Sequence, residues 1–164
     1  MSDEGPGIRQ ARPEEFAQLR ATEFKADKLF ETLGIGPFVN DEAEDHLGQA
    51  SLVLVIGEPP VGFVCLETVD GLPHVWQLAV DPEHGRRGLG RALMEAACDW
   101  ARSEGFDAIT LTTYRDPPWN RPFYESIGFE TLDILTPELS TIREHERIIG
   151  DDDFGTRVAM RRSL

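Results

Sequence analysis

Gly85, Gly88 and Gly90 are interleaved with Arg86, Arg87 and Arg91 inside the stretch "VDPEHGRRGLGRALMEAACDWA", positions 80–101. Those residue types at that spacing suit the capture of an anion. Glycines let the backbone bend sharply and let a bulky group come close. The stretch runs into a helix, whose first turn leaves N–H groups unpaired and carries partial positive charge. The amides of this turn, that of Leu89 included, can point at the anion, and the guanidinium groups add full charge and further donors. Phosphate or pyrophosphate is the chemistry such a turn serves. The competing reading is a glycine-rich turn with its arginines in solvent. A strand before it, an amphipathic helix after it and the clustering of basic residues in an acidic chain favour the cradle.

The identity of the phosphate ligand is narrowed by what is missing. No Lys-Ser/Thr pair follows the glycines, as a Walker loop requires. The spacing in "GRRGLG" is not that of a dinucleotide-binding GxGxxG turn, and the strands before it read as antiparallel. The chain has 30 acidic against 16 basic side chains and a formal net charge of -14. That balance opposes general nucleic-acid binding, which rests on neutralising phosphates. It is compatible with a cationic substrate, although acidity for solubility alone explains it as well. Cys65 and Cys98 stand outside any CxxC pair or His cluster, so they read as reduced core thiols, with no metal site expected. No apolar run is long enough to cross a bilayer, and the acidic N-terminus is unlike a secretory signal, so a cytoplasmic protein with no membrane partner is expected.

The elements that must position the turn follow from hydrophobic periodicity. Residues 7–12 read as a first strand. Pro13 suits a first helical turn, and the pattern of Phe16, Leu19, Phe24, Leu29 and Phe30 continues a helix to about Leu33. "DEAEDHLGQA" reads as a short acidic helix. Residues 51–57, 61–69 and 73–80 are strand-like, with turns at "EPP" and Asp70-Gly71. Residues 87–104 form the clearest helix, with Leu89, Leu93, Ala96, Ala97 and Trp100 on one face and Gly105 past its end. A strand is expected at 106–114, a short helix ending near Gly128, a strand over "FETLDIL", a turn of helix within 137–150, and a closing strand over "GTRVAMRR". Phe123 and Ile127 share a spacing with Trp119 that suggests a core face. The whole reads as one α/β (α+β) domain over residues 1–164 with a mixed sheet.

"LAVDPEHGRRGLGRAL" followed by "NRPFYESIGF" resembles the GNAT superfamily of acetyl-CoA-dependent N-acyltransferases. The family signature is [QR]xxGx[GA] after a strand, then an aromatic-Tyr pair ahead of "GF". The resemblance covers about residues 51–135. It departs from the family at Gly85, which stands where a Gln or Arg is usual. It implies a mostly antiparallel sheet flanked by helices, with central strands that splay apart. It also implies that acetyl-CoA is the cosubstrate and that the backbone of Leu78, Ala79 and Val80 pairs with its pantetheine arm. A backbone N–H near that splay would serve as oxyanion donor, typically worth ~3 kcal/mol. Tyr124 matches the family tyrosine that protonates the departing thiolate, with a core aromatic as its alternative. Asn120 loosely matches an asparagine near the cofactor, with a helix cap as its alternative. His74 occupies a position where some members carry the general base, and an imidazole is suited to that role. Glu67 and Glu23 are weaker candidates for the same task.

The function implied is transfer of an acetyl group from acetyl-CoA to a primary amine by direct attack in a ternary complex, with proximity supplying much of the rate. The amine would belong to a small molecule or a peptide, and the resemblance leaves room for a homodimer. Phe24, Phe30, Phe38 and Trp76 could line an acceptor cleft or pack in the core. A non-catalytic acyl-CoA sensor and an unrelated nucleotide-binding module stay open beside the enzyme.

Overall fold

The computed structural model describes residues 7–36 and 46–164. The acidic segment at 41–45 and Phe38 lie outside the described residues. Twelve elements follow in order. They are β1 (Ile8–Gln10), α1 (Phe16–Glu31), α2 (His46–Gln49), β2 (Leu52–Ile56), β3 (Gly62–Val69), β4 (Leu72–Val80), α3 (Leu89–Ser103), β5 (Ala108–Tyr114), α4 (Arg121–Ser126), β6 (Glu130–Thr131), α5 (Pro137–Ile148) and β7 (Arg157–Ser163). The strands form one sheet in the order β1-β2-β3-β4-β5-β7-β6. Every pairing is antiparallel except that of β4 with β5.

Helix α3 shows why the sequence folds this way. Leu89, Leu93, Met94, Ala97, Cys98 and Ala101 recur at three- and four-residue intervals and are all buried. They meet Val64, Leu66, Val75, Ile109, Leu111 and Met160 of the sheet in the main core. Full burial of Leu93 and Met94 stabilises the fold by roughly 1.5–3 kcal/mol each. The helix stops where Gly105 turns to φ +87°, and the Phe106 N–H donates to the Ala101 carbonyl at 3.0 Å. Helix α1 covers the opposite face, where Leu19 packs with Val55, Phe63 and Ala79. Both cysteines are buried thiols. Among the described residues, no helix is long and apolar enough to cross a membrane.

Three expectations are corrected. The first helical residues, Pro13–Glu15, form a 3-10 turn before α1 begins. The strand expected over "FETLDIL" is two residues long, paired with Met160 and Arg161. The segment 137–150 holds a twelve-residue helix, not a single turn.

Strand β4 carries the irregularity that matters. Its pairing with β3 runs Leu66 to Val75 and then Cys65 to Gln77, so Trp76 has no partner and forms a bulge. An extra residue reverses the alternation of side chains. Val75, Leu78 and Val80 therefore face α3, while Trp76 and Ala79 face α1. On its other edge β4 pairs with β5 only at His74–Thr110 and Val75–Leu111. Beyond Val75 the two parallel strands part.

Candidate active site

The turn predicted as a cradle sits between the end of β4 and α3. Asp81 opens it by accepting from the Glu83 N–H at 3.0 Å, and Pro82–His84 make a 3-10 turn. Gly88 caps α3 in the left-handed region at φ +75°, where a Cβ would be strained. The first turn of α3 closes with the Ala92 N–H donating to the Gly88 carbonyl at 3.0 Å. Among the described residues, the amides of 86–91 have no such backbone partner. Residues 85–88 and Arg91 are exposed. This is a row of free donors at the positive end of a fifteen-residue helix.

The glycines divide the work differently from the expectation. Gly85 has φ -66° and is not left-handed, whereas Arg86 is, at φ +62°. Gly90 lies in the helix, and a Cβ there would face Leu78, Val80 and Phe123 at 3.8–4.0 Å. It thus looks onto the gap between the end of β4 and α4. On the β5 side of that gap, residues 76–80 of β4 lack ladder partners. Their backbone is an open strand edge of the kind an extended ligand can pair with.

Tyr124 is carried by α4, one turn after Asn120. It is 8 % exposed and packs edge-on against Phe123 and Phe129 with ring centroids 5.2 and 5.7 Å apart. Its hydroxyl forms no hydrogen bond with the described residues. Burial raises its pKa well above the ordinary phenol value, with Arg157 opposing weakly, so it keeps its proton across neutral and mildly alkaline pH. Asn120 does not cap α4 with its side chain. Its Nδ2 donates to Thr113 Oγ1 on β5 at 2.7 Å, and its backbone carbonyl accepts from the Tyr124 N–H at 3.0 Å. It ties the tyrosine helix to the splayed arm of β5.

His74 lies in the short paired stretch of β4 with β5, one residue before the last pair at Val75; it is 1 % exposed, with Nδ1 2.8 Å from Thr110 Oγ1. Burial pushes it down to about 4 against a weaker opposing pull from Glu146, so it is uncharged at neutral pH. Glu67 faces His46 at 3.3 Å, and that imidazole stacks on Trp76 at 4.1 Å. Trp119 is 39 % exposed and precedes α4, whereas Ile127 is in the core as expected.

A family model described as the acetyltransferase (GNAT) family matches residues 10–129, a span that contains the splay, the turn and the tyrosine. The chain belongs to the GNAT acetyltransferase family. It is 29% identical over 112 residues to the [ribosomal protein bS18]-alanine N-acetyltransferase of Salmonella typhimurium, covering 68% of this chain and 74% of that one. Its fold is similar to a GCN5-related N-acetyltransferase from Rhodopseudomonas palustris, with a TM-score of 0.70, 22% identity, and coverage of 100% and 99% of the two chains. It is also similar to the PaiA N-acetyltransferase of Thermoplasma acidophilum, solved in complex with coenzyme A, with a TM-score of 0.66, 13% identity, and coverage of 96% and 98%.

On the α1 face of this GNAT sheet the structure gathers Glu23, a weaker base candidate in the sequence, and Phe30, a possible cleft residue, with Asp27, which no motif announced. Glu23, Asp27 and Phe30 lie at i, i+4 and i+7 on α1, the same stripe as the buried Leu19. Burial raises the Glu23 carboxyl against a weaker pull from His46 and Arg20. Burial, then Glu23 and Asp151, push Asp27 up to about 7. Phe30 stacks on Tyr114 and Trp119 with centroids 5.9 and 5.5 Å apart, and the Tyr114 hydroxyl donates to the Asp151 carbonyl at 2.8 Å. The sequence did carry one signal. Two carboxylates interrupt an otherwise inward-facing helical stripe.

Proposed function

We propose that the chain transfers the acetyl group of acetyl-CoA to a primary amine. The observation that carries this is the juxtaposition of unpaired amides at 86–91 with the unpaired β4 edge from Trp76 to Val80. The first suits a diphosphate and the second an extended amide-bearing arm, which together describe coenzyme A. Gly85, Arg86, Arg87, Gly88, Leu89, Gly90 and Arg91 hold the phosphates, mainly through the main chain. Leu78, Ala79 and Val80 offer backbone groups to the arm, and a free N–H of this edge polarises the acetyl carbonyl. Tyr124, kept protonated by burial, gives its proton to the departing sulfur. Asn120 fixes the helix that carries it.

The amine must lose a proton before attack. His74 was the family-based candidate, but at about 4 its proton affinity is roughly six units below that of an alkylammonium. Asp27, at about 7, is better matched to the task and lies on the same face of the sheet. His74 then acts as an uncharged buried group that helps hold β4 against β5 at the point where they part.

Ligand-induced stabilisation tests the reading. Acetyl-CoA at 100-fold over its Kd adds about 2.7 kcal/mol, or roughly 5–10 °C in Tm for a chain of this size. ATP and NAD at the same concentration should shift Tm far less, and acetyl-CoA with an acceptable amine should release thiol. A shift with ATP or NAD and none with acetyl-CoA would refute the proposal. A shift with acetyl-CoA but no thiol release over a broad amine panel would identify a sensor instead.

A further inference from the structure

A cavity of about 350 Å³ opens at the end of β5. Leu33 and Ile35 after α1, Tyr114 at the end of β5, Pro117, Pro118 and Phe154 give it apolar walls. Its volume is at the lower end of the range for small-molecule pockets. Among the described residues, no lysine or arginine lines it. Its one carboxylate, Asp116, is paired with Arg115 at 2.8 Å.

Tyr114 joins this cavity to the carboxylates of α1. Phe30 stacks on its ring, and Asp27 stands three residues before Phe30 on the same helix. Asp151, whose carbonyl accepts from Tyr114, is close enough to Asp27 to hinder its ionisation. Glu23 and Asp27 make no hydrogen bond or ion pair with the described residues. The arginines on this face are already held. Arg143 binds Glu146 and Asp152 at 2.9 and 2.8 Å, and Arg157 binds Glu146 at 2.6 Å. Two basic groups stand beside Glu23, and both are committed: His46 faces Glu67 at 3.3 Å, and Arg20 is not free. The junction therefore has an apolar outer part and a negative inner part, and among the described residues Arg143, Arg157 and His46 are already paired.

We propose that the acceptor is a primary amine on an apolar skeleton free of carboxylate and phosphate, its ammonium toward Glu23 and Asp27 and its body in the cavity walled by Tyr114 and Phe154. This rests on the acetyl-transfer reading and specifies its second substrate. Charge complementarity selects the occupant: an ammonium gains from unpaired carboxylates, whereas a carboxylate or phosphate on the same molecule would meet them without a counter-ion. A free arylalkylamine and a peptide N-terminus with a bulky apolar first residue share this chemistry.

The test measures thiol release from acetyl-CoA by the full chain with phenethylamine, a phenylalanyl dipeptide amide, glutamate, glucosamine 6-phosphate and spermidine. The kcat/KM for phenethylamine or for the dipeptide amide should exceed that for the two anionic amines by roughly 100-fold, the size of effect that unpaired buried charge produces. Whichever of the two leads identifies the source. Glu23→Gln and, separately, Phe154→Asp should each raise KM for the better acceptor about tenfold and leave KM for acetyl-CoA unchanged. Phe154 is 37 % exposed, so its replacement spares the core. Equal or better use of glutamate, glucosamine 6-phosphate or spermidine would overturn the inference while leaving acetyl transfer intact. So would unchanged amine KM in both variants, or no turnover of any of the five amines while acetyl-CoA still raises Tm. Failure of acetyl-CoA to bind at all would instead remove the reading on which the inference stands.

Discussion

Gly90→Glu should weaken acetyl-CoA binding by roughly 100-fold or more, about 2.8 kcal/mol, while Gly90→Ala should leave it nearly unchanged. The contrast follows from where a side chain at this position would go. A Cβ on Gly90 makes only ordinary contacts with Leu78, Val80 and Phe123 at 3.8–4.0 Å. Alanine therefore fits, and it favours the helix by roughly 0.5–1 kcal/mol. A glutamate would extend from that point into the gap between β4 and α4. It would bring negative charge to the turn proposed to hold the diphosphate, and like charges at close range are costly in a partly dry site. Titration calorimetry on both variants, with Tm as a control for folding, reads the effect. Tight binding by Gly90→Glu would show that the ligand does not use this turn.

Tyr124→Phe should lower kcat by roughly 10²–10³-fold, the usual worth of a positioned general acid, with KM for acetyl-CoA little changed. The substitution removes one oxygen from a ring otherwise fixed by Phe123 and Phe129. That oxygen has no hydrogen-bond partner among the described residues, so no protein group is orphaned and stability should barely move. A thioester whose thiol is a much stronger acid than that of coenzyme A needs little protonation as it leaves. The variant's deficit should shrink markedly with such a donor. Because burial raises the Tyr124 pKa, the wild-type rate should not decline through its ionisation at mildly alkaline pH. Full activity of Tyr124→Phe with acetyl-CoA would return the residue to the core.

The parts of this site that were legible in the sequence are those built locally. The anion turn, the α3 face and the tyrosine helix each lie within a short stretch, so spacing and residue type expose them. Helix α3 could be read because its buried residues repeat at helical intervals and Gly105 ends it. The bulge at Trp76 could not, because an extra residue in "HVWQLAV" leaves an apolar pattern that fits either register. Yet the bulge turns Leu78 and Val80 toward α3 and coincides with the onset of the splay. The cavity proposed for the acceptor was also hidden. Its walls come from the end of α1, the end of β5 and the turn before β7, which meet only after the sheet is assembled. His74 shows the limit of residue type alone. Its residue type suited a base, but burial against Thr110 was not visible from its neighbours in sequence, and burial is what lowers its proton affinity. Asn120 was read as a cap or a cofactor contact, and the bond to Thr113 depends on a strand seven residues earlier folding back beside it.

One structure tests the central claim directly: that of the chain crystallised with acetyl-CoA. The diphosphate should lie within hydrogen-bonding distance of amides between Arg86 and Arg91, and the pantetheine arm alongside β4 from Trp76 to Val80. The thioester sulfur should lie beside the Tyr124 hydroxyl. A coenzyme bound elsewhere, with the strand edge beyond Val75 left bare, would contradict it.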